Sequence, residues 1–125
     1  MYNAIKKYQG EAKVLITYEE LKDIPLQETQ DMDVSDPGAV VFTKINENEI
    51  SQSFRVEMKA DNFWNNHYHD CLETIVVYRG HLYNHSREEI IDRYHPTIIK
   101  KYEPHLIEAT TDSVFYVEFI NPESN

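Results

Sequence analysis

The chain reads as a single all-β domain, a sandwich or barrel of short antiparallel strands, and three observations carry that reading. Its 125 residues fall within the size range of one domain and are too few for two typical ones. The apolar share is 41%, with nine Tyr and five Phe, residue types that pack better on strands than on helices. Short apolar segments also recur at close spacing along most of the chain, separated by polar turns, which is the pattern of many antiparallel strands.

Taken in order, residues 13–18 read as a first strand, and Thr17 with Glu20 has the spacing of a capping box that can start a helical turn before Pro25 ends it. Residues 27–38, QETQDMDVSDPG, are acidic and turn-rich and are expected to form a surface loop. Strands are then expected at 39–45, 50–59, 63–69, 74–79, 81–85, 97–101, 105–110 and 114–120. Within 53–59, Phe54, Val56 and Met58 alternate with Ser53, Arg55, Glu57 and Lys59, so one face of that strand is buried. Ser86 lies three residues before Glu89, and residues 86–93 are expected to carry a helical turn. With only three Gly and five Pro, the turns must rely on Asn, Asp and Ser. No internal repeat or low-complexity tract interrupts the pattern.

Charge narrows the choice of partner. Twenty-two acidic against twelve basic side chains give a formal charge of −10, which repels a phosphate backbone and makes nucleic acid an unexpected partner. The first fifteen residues lack the continuous apolar core of a secretory signal, and the longest apolar runs are too short to span a bilayer, so a soluble cytoplasmic protein with no membrane partner is expected. Cys71 is the one cysteine, which rules out an intrachain disulfide and fits a reducing compartment.

The stretch from His67 to Gly80 carries the chemistry. Two histidines separated by one residue project from the same face of a strand, whereas on a helix they would point in nearly opposite directions, so His67 and His69 chelate together only if the segment is extended. Glu73 is near enough to return to the same pocket after a turn. Imidazole and carboxylate together suit a divalent transition metal such as Fe, Mn, Ni, Co or Zn. Gly80 follows where a strand must turn back. Cys71, between His69 and Glu73, reads as a small buried hydrophobe rather than a ligand, and Trp64, Tyr68 and Asp70 read as packing or solvated groups.

His67, His69, Glu73 and Gly80 resemble, at matching spacing, the first motif of the cupin superfamily, in which two histidines one residue apart are followed by Glu and then Gly. The segment Tyr102-Glu103-Pro104-His105 is similar to the family's second motif, which supplies a further histidine from a later strand after a proline-containing turn. It departs from that motif in having Pro104 directly before the histidine and no Gly or Asn after it, so His95, just before Pro96, stands as a rival to His105. His81 and His85 either line the pocket or face solvent.

The resemblance covers about residues 38–120 and implies a single-domain antiparallel β-barrel, the double-stranded β-helix of jelly-roll type, formed by residues 38–125. Residues 1–37 would then be an N-terminal strand and acidic loop, a candidate arm across a homodimer. It further implies a metal held by His67, His69, Glu73 and His105 and a small-molecule substrate or ligand. The expected function is a small metal-dependent enzyme of dioxygenase or isomerase type acting on an oxygenated small molecule, with a non-catalytic binding or sensor domain as the alternative.

Overall fold

A computed structural model describes residues 14–32, 36–64 and 66–123. Their strands are β1 (Val14–Ile16), β2 (Thr29–Asp31), β3 (Val40–Glu47), β4 (Ser51–Met58), β5 (His67–His69), β6 (Leu72–Arg79), β7 (His81–Asn84), β8 (Glu89–Asp92), β9 (Thr97–Ile99), β10 (Ile107–Ala109) and β11 (Ser113–Ile120), with one short helix, α1 (Tyr18–Lys22). No described helix is long and apolar enough to cross a membrane.

A six-stranded sheet in the order β2-β3-β4-β11-β6-β9 forms one side of the domain. The other side contains a three-stranded sheet, β10-β7-β8, and the pair β1-β5. Single bridges from Phe63 to Glu108 and from His67 to His105 join β5 and the chain before it to β10. The alternation in β4 is as expected: Phe54, Val56 and Met58 are buried, while Ser53, Arg55 and Glu57 are half-buried on the opposite face. Phe115, Val117 and Phe119 of β11 and Ile75 and Val77 of β6 continue the buried face, and Leu82, Ile91, Ile107 and Ala109 supply core from the other sheet. Phe54 packs edge-on against both Phe42 and Phe119, at 5.7 and 5.8 Å between ring centroids. Burying each such ring contributes roughly 2 to 3 kcal/mol, so packing between the sheets is the main source of stability.

Several local expectations change. The jelly-roll sheets face each other but do not close into a continuous barrel, since the large sheet ends at β2 and β9 and the small one at β8. The ladders of the six- and three-stranded sheets are antiparallel as expected, while β1, from the segment before them, runs parallel to β5. The expected loop at 27–38 contains β2, which adds an edge strand to β3 and places Thr29 Oγ1 2.9 Å from Thr43 Oγ1. The helical turn expected within 86–93 is a hairpin turn followed by β8, with Glu88 at φ 53°. There Ile91 is fully buried opposite Leu82, and that tertiary burial outweighs the local capping signal.

The capping box at Thr17 does form: the Thr17 side chain accepts from the Glu20 N–H, and the Glu20 carboxylate accepts from the Thr17 N–H. Asp70 Oδ1 accepts from the Tyr18 N–H at 2.8 Å, which ties α1 to the loop after β5. Lys44, fully buried, donates to the Leu21 carbonyl at 2.9 Å and pairs with Glu47, which holds the other end of α1.

Gly80 turns β6 into β7 at φ 97°, and a Cβ there would lie 2.3 Å from Ser113 Oγ and 2.5 Å from the Asp112 carbonyl. The motif glycine is therefore required by both its backbone conformation and the approach of the β11 start. Gly80→Ala is expected to lower unfolding free energy by about 2 kcal/mol or more in urea titrations of metal-free protein. A loss below about 0.5 kcal/mol would contradict that close approach.

Candidate metal centre

His67 and His69 flank Tyr68 on β5, and strand alternation turns both imidazoles to the buried side, where the two residues are 7% and 4% exposed. His105 joins them through the backbone. The His67 N–H donates to the His105 carbonyl at 3.2 Å, and the His105 N–H donates to the His67 carbonyl at 2.9 Å. This pairing sets the ring centroids of His67 and His105 4.2 Å apart, with His69 at 4.9 Å from His67 and 5.3 Å from His105. One ligand nitrogen from each of the three lies within 4.8 Å of the others, a buried cluster able to hold a metal ion.

Glu73 enters from the facing sheet. The carboxylate is 1% exposed, and Oε1 lies 3.2 Å from His105 Nε2 and 3.5 Å from His69 Nε2. Ring orientation is set from outside the pocket. His69 Nδ1 is 3.0 Å from the Ile16 carbonyl of β1, and His105 Nδ1 is 3.0 Å from the Glu103 carbonyl. Those carbonyls only accept, so each Nδ1 carries the proton and each Nε2 faces inward. His69 Nε2, His105 Nε2 and both Glu73 oxygens are buried without a well-formed hydrogen bond. Buried polar atoms are nearly always satisfied, so four orphans converging on one point match the donor set of a cation.

Aromatic neighbours complete the walls. Trp64 meets the His67 ring edge-on at 5.9 Å, and Phe119 packs on the His69 ring at 4.8 Å. Burial works to raise the Glu73 carboxyl, but the His105 imidazole 3.2 Å from it, helped by His69 and His67, outweighs that and holds Glu73 below the usual carboxylate range. Burial pulls His69 below the ordinary imidazole value. It acts the same way on His105, where the Glu73 carboxylate more than compensates and raises it.

The remaining candidates separate cleanly. The His95 side chain is 70% exposed and bonded to Asp92 Oδ1 at 2.8 Å, away from the cluster, so His105 is the third histidine of the group. His81 is exposed. His85 turns to Glu108, with Nε2 2.7 Å from Oε1, a buried pair that strand alternation places on the other face of β10 from Ile107. Cys71 is buried, and burial followed by the nearby Asp70 and Glu73 pushes its thiol up to about 12, so it carries no thiolate near neutrality. Trp64 and Phe119 are site neighbours that no motif marks, and Glu103 was visible only as the residue before Pro104.

No protein-family model matches the chain, and no curated protein matches it. Solved structures do. An RmlC-like cupin from Shewanella frigidimarina NCIMB 400 aligns with a TM-score of 0.63 at 11% identity, over 81% of this chain and 93% of that one. KdgF from Halomonas sp. aligns at 0.63 and 13%, over 74% and 86%. A putative acetylacetone dioxygenase from Methylibium petroleiphilum PM1 aligns at 0.63 and 12%, over 94% and 89%. At these identities the likeness is one of fold.

The electrostatics generate a direct test in metal-free protein. His105 should titrate above, and His69 below, the ordinary imidazole value of 6.5 when their ring resonances are followed by NMR. Glu73→Gln should bring His105 down, because the carboxylate that favours its protonated form is gone. An unchanged His105 titration in that variant would disprove the coupling.

Proposed function

We propose, from the premise that the chain has the cupin fold, that it binds one divalent transition metal on His67, His69, Glu73 and His105 and uses it to transform a small oxygenated molecule. The observation that supports this most is the convergence of buried imidazole nitrogens and a buried carboxylate from two facing sheets. A buried carboxylate among imidazoles costs several kcal/mol in desolvation unless its partner is well placed, and a divalent cation is such a partner. The putative acetylacetone dioxygenase among the fold neighbours is consistent with a chelating oxygenated substrate.

Each residue of the pocket then has a task. His69 and His105 present bare Nε2 atoms, held by the Ile16 and Glu103 carbonyls. Glu73 offsets metal charge from the facing sheet, while Trp64 and Phe119 wall off the imidazoles from water. A metal bound there supplies Lewis-acid polarisation of a substrate oxygen or, if it is iron, oxygen activation.

Purified without a histidine tag, the protein should carry about one transition-metal ion per chain by elemental analysis. His67→Ala and His69→Ala should lose most of it while remaining folded, and Cys71→Ser should keep it, since the protonated, buried thiol is no ligand. Full metal content in both histidine variants would place the metal elsewhere. Fe, Mn, Ni and Zn forms should then be offered diketones, hydroxy acids and phenols while oxygen uptake and products are followed. Oxygen use confined to the iron form marks a dioxygenase, and turnover with zinc marks isomerase-type chemistry. Saturable binding without turnover in every form would replace this reading by that of a binding or sensor domain.

We also propose a homodimer. The outward side chains of β6 and β9 leave Val76 51%, Tyr78 64% and Ile98 55% exposed, a run of apolar surface suited to a second copy. β1, expected as a dimer arm, pairs with β5 of its own chain. Sedimentation at micromolar concentration should give twice the 14.8 kDa chain mass, and a monomer would refute the assignment.

A further inference from the structure

We propose that Arg87, on the turn between β7 and β8, is a positioning residue for His69 and His105, acting through Glu103; the inference rests on those histidines being metal ligands. The loop between β9 and β10 touches both of them. The Tyr102 N–H donates to the His69 carbonyl at 2.7 Å, and the Glu103 carbonyl accepts from His105 Nδ1 at 3.0 Å. Pro104 joins Glu103 to His105 with a fixed φ, so displacement of Glu103 passes to the imidazole with little slack.

One backbone hydrogen bond closes that loop, from the Glu103 N–H to the Lys100 carbonyl at 3.0 Å, and side chains supply the rest of its restraint. Tyr102 sits at φ 63°, a left-handed conformation that costs a side-chain-bearing residue free energy and persists only when neighbours impose it. The Glu103 carboxylate adds side-chain restraint to that turn. It takes Arg87 Nε at 2.5 Å and Nη2 at 2.6 Å as a bidentate pair, and Oε1 also accepts the Lys100 N–H at 3.0 Å. The same guanidinium donates to Thr97 Oγ1 at 3.0 Å and to the Ile98 carbonyl at 2.7 Å, with Glu89 Oε1 at 3.5 Å. Arg87 therefore spans the gap from the edge of the small sheet to β9, the edge of the large one, where no backbone ladder joins β8 to β9.

The ion pair is about a quarter exposed, with side chains 28% and 24% accessible. Pairs of that kind add little to global stability, so its several-fold bonding is better explained by the loop it restrains.

The test is titration of Co(II) into metal-free protein, reading affinity, the visible absorption bands and the melting temperature. Arg87→Met and Glu103→Ala should each weaken Co(II) binding about 10- to 100-fold and alter the absorption bands, as loss of a group behind a metal-binding histidine does. The double variant should be no weaker than either single one, since both remove the same restraint. Arg87→Lys, which keeps the charge but not the fork, should fall between wild type and Arg87→Met. Arg55→Met, which removes an exposed ion pair with Glu57 on the large sheet, should leave affinity and bands unchanged. Unaltered binding and spectrum in folded Arg87→Met or Arg87→Lys would overturn the proposal and reduce Arg87 to a staple between sheets, even if melting temperature falls. Should Arg87→Met fail to fold, Arg87→Lys and Glu103→Ala decide by the same criterion. Wild type that binds no Co(II) would defeat the metal reading itself, and this inference with it.

Discussion

His67 and His105 exchange two backbone hydrogen bonds, and the rest of the candidate site is built around that pair. Thirty-eight positions apart in the chain, they are brought opposite one another by β5 and the approach to β10. In an antiparallel pair, residues that exchange both bonds lie about 5.5 Å apart at Cα with side chains on one face. The two imidazoles therefore share one face, with ring centroids 4.2 Å apart, and His69 follows by strand alternation. Glu73 needs a separate route, through β6 of the facing sheet, where Phe119 of β11 lies opposite it in register and under the His69 ring.

Concentrating these groups has a cost that the surrounding structure must bear. An unsatisfied buried polar atom costs roughly 1 to 3 kcal/mol, and the pocket gathers four of them. The core between the sheets, centred on Phe54, Val56, Phe115 and Val117, is large enough to carry such a local deficit. Two backbone carbonyls, from Ile16 and Glu103, then decide which nitrogen of each ring faces inward. The short parallel strand β1 thus belongs to the site as much as to the fold, since it delivers Ile16.

Much of this is legible in the sequence. The alternation in β4 marked the buried face, Thr17 and Glu20 marked α1, and Gly80 marked the turn after β6, while the His67-x-His69 spacing put two imidazoles on one buried strand face. Such features depend on neighbours a few residues away, where periodicity and capping chemistry operate. Where local and distant forces disagreed, the local signal misled. Ser86 and Glu89 have capping spacing, yet the burial of Ile91 against Leu82 makes the segment a strand. Residues 29–31 look like loop because β2 is a short edge strand whose pairing with β3 leaves little apolar trace.

The residue types and their separations by themselves determined an all-β chain, a strand-borne pair of histidines and a glycine where a strand turns back. Tertiary structure alone decided between His105 and His95, because a strand position and a solvent-facing turn position look alike in one dimension, and only the backbone pairing with His67 tells them apart. It likewise decided that the jelly-roll sheets stay open at their edges, that His85 is committed to Glu108, and that Arg87 reaches across to Glu103. Each of these depends on contacts between segments distant in sequence, whose geometry is set by how two whole sheets pack, and no spacing along the chain encodes that directly.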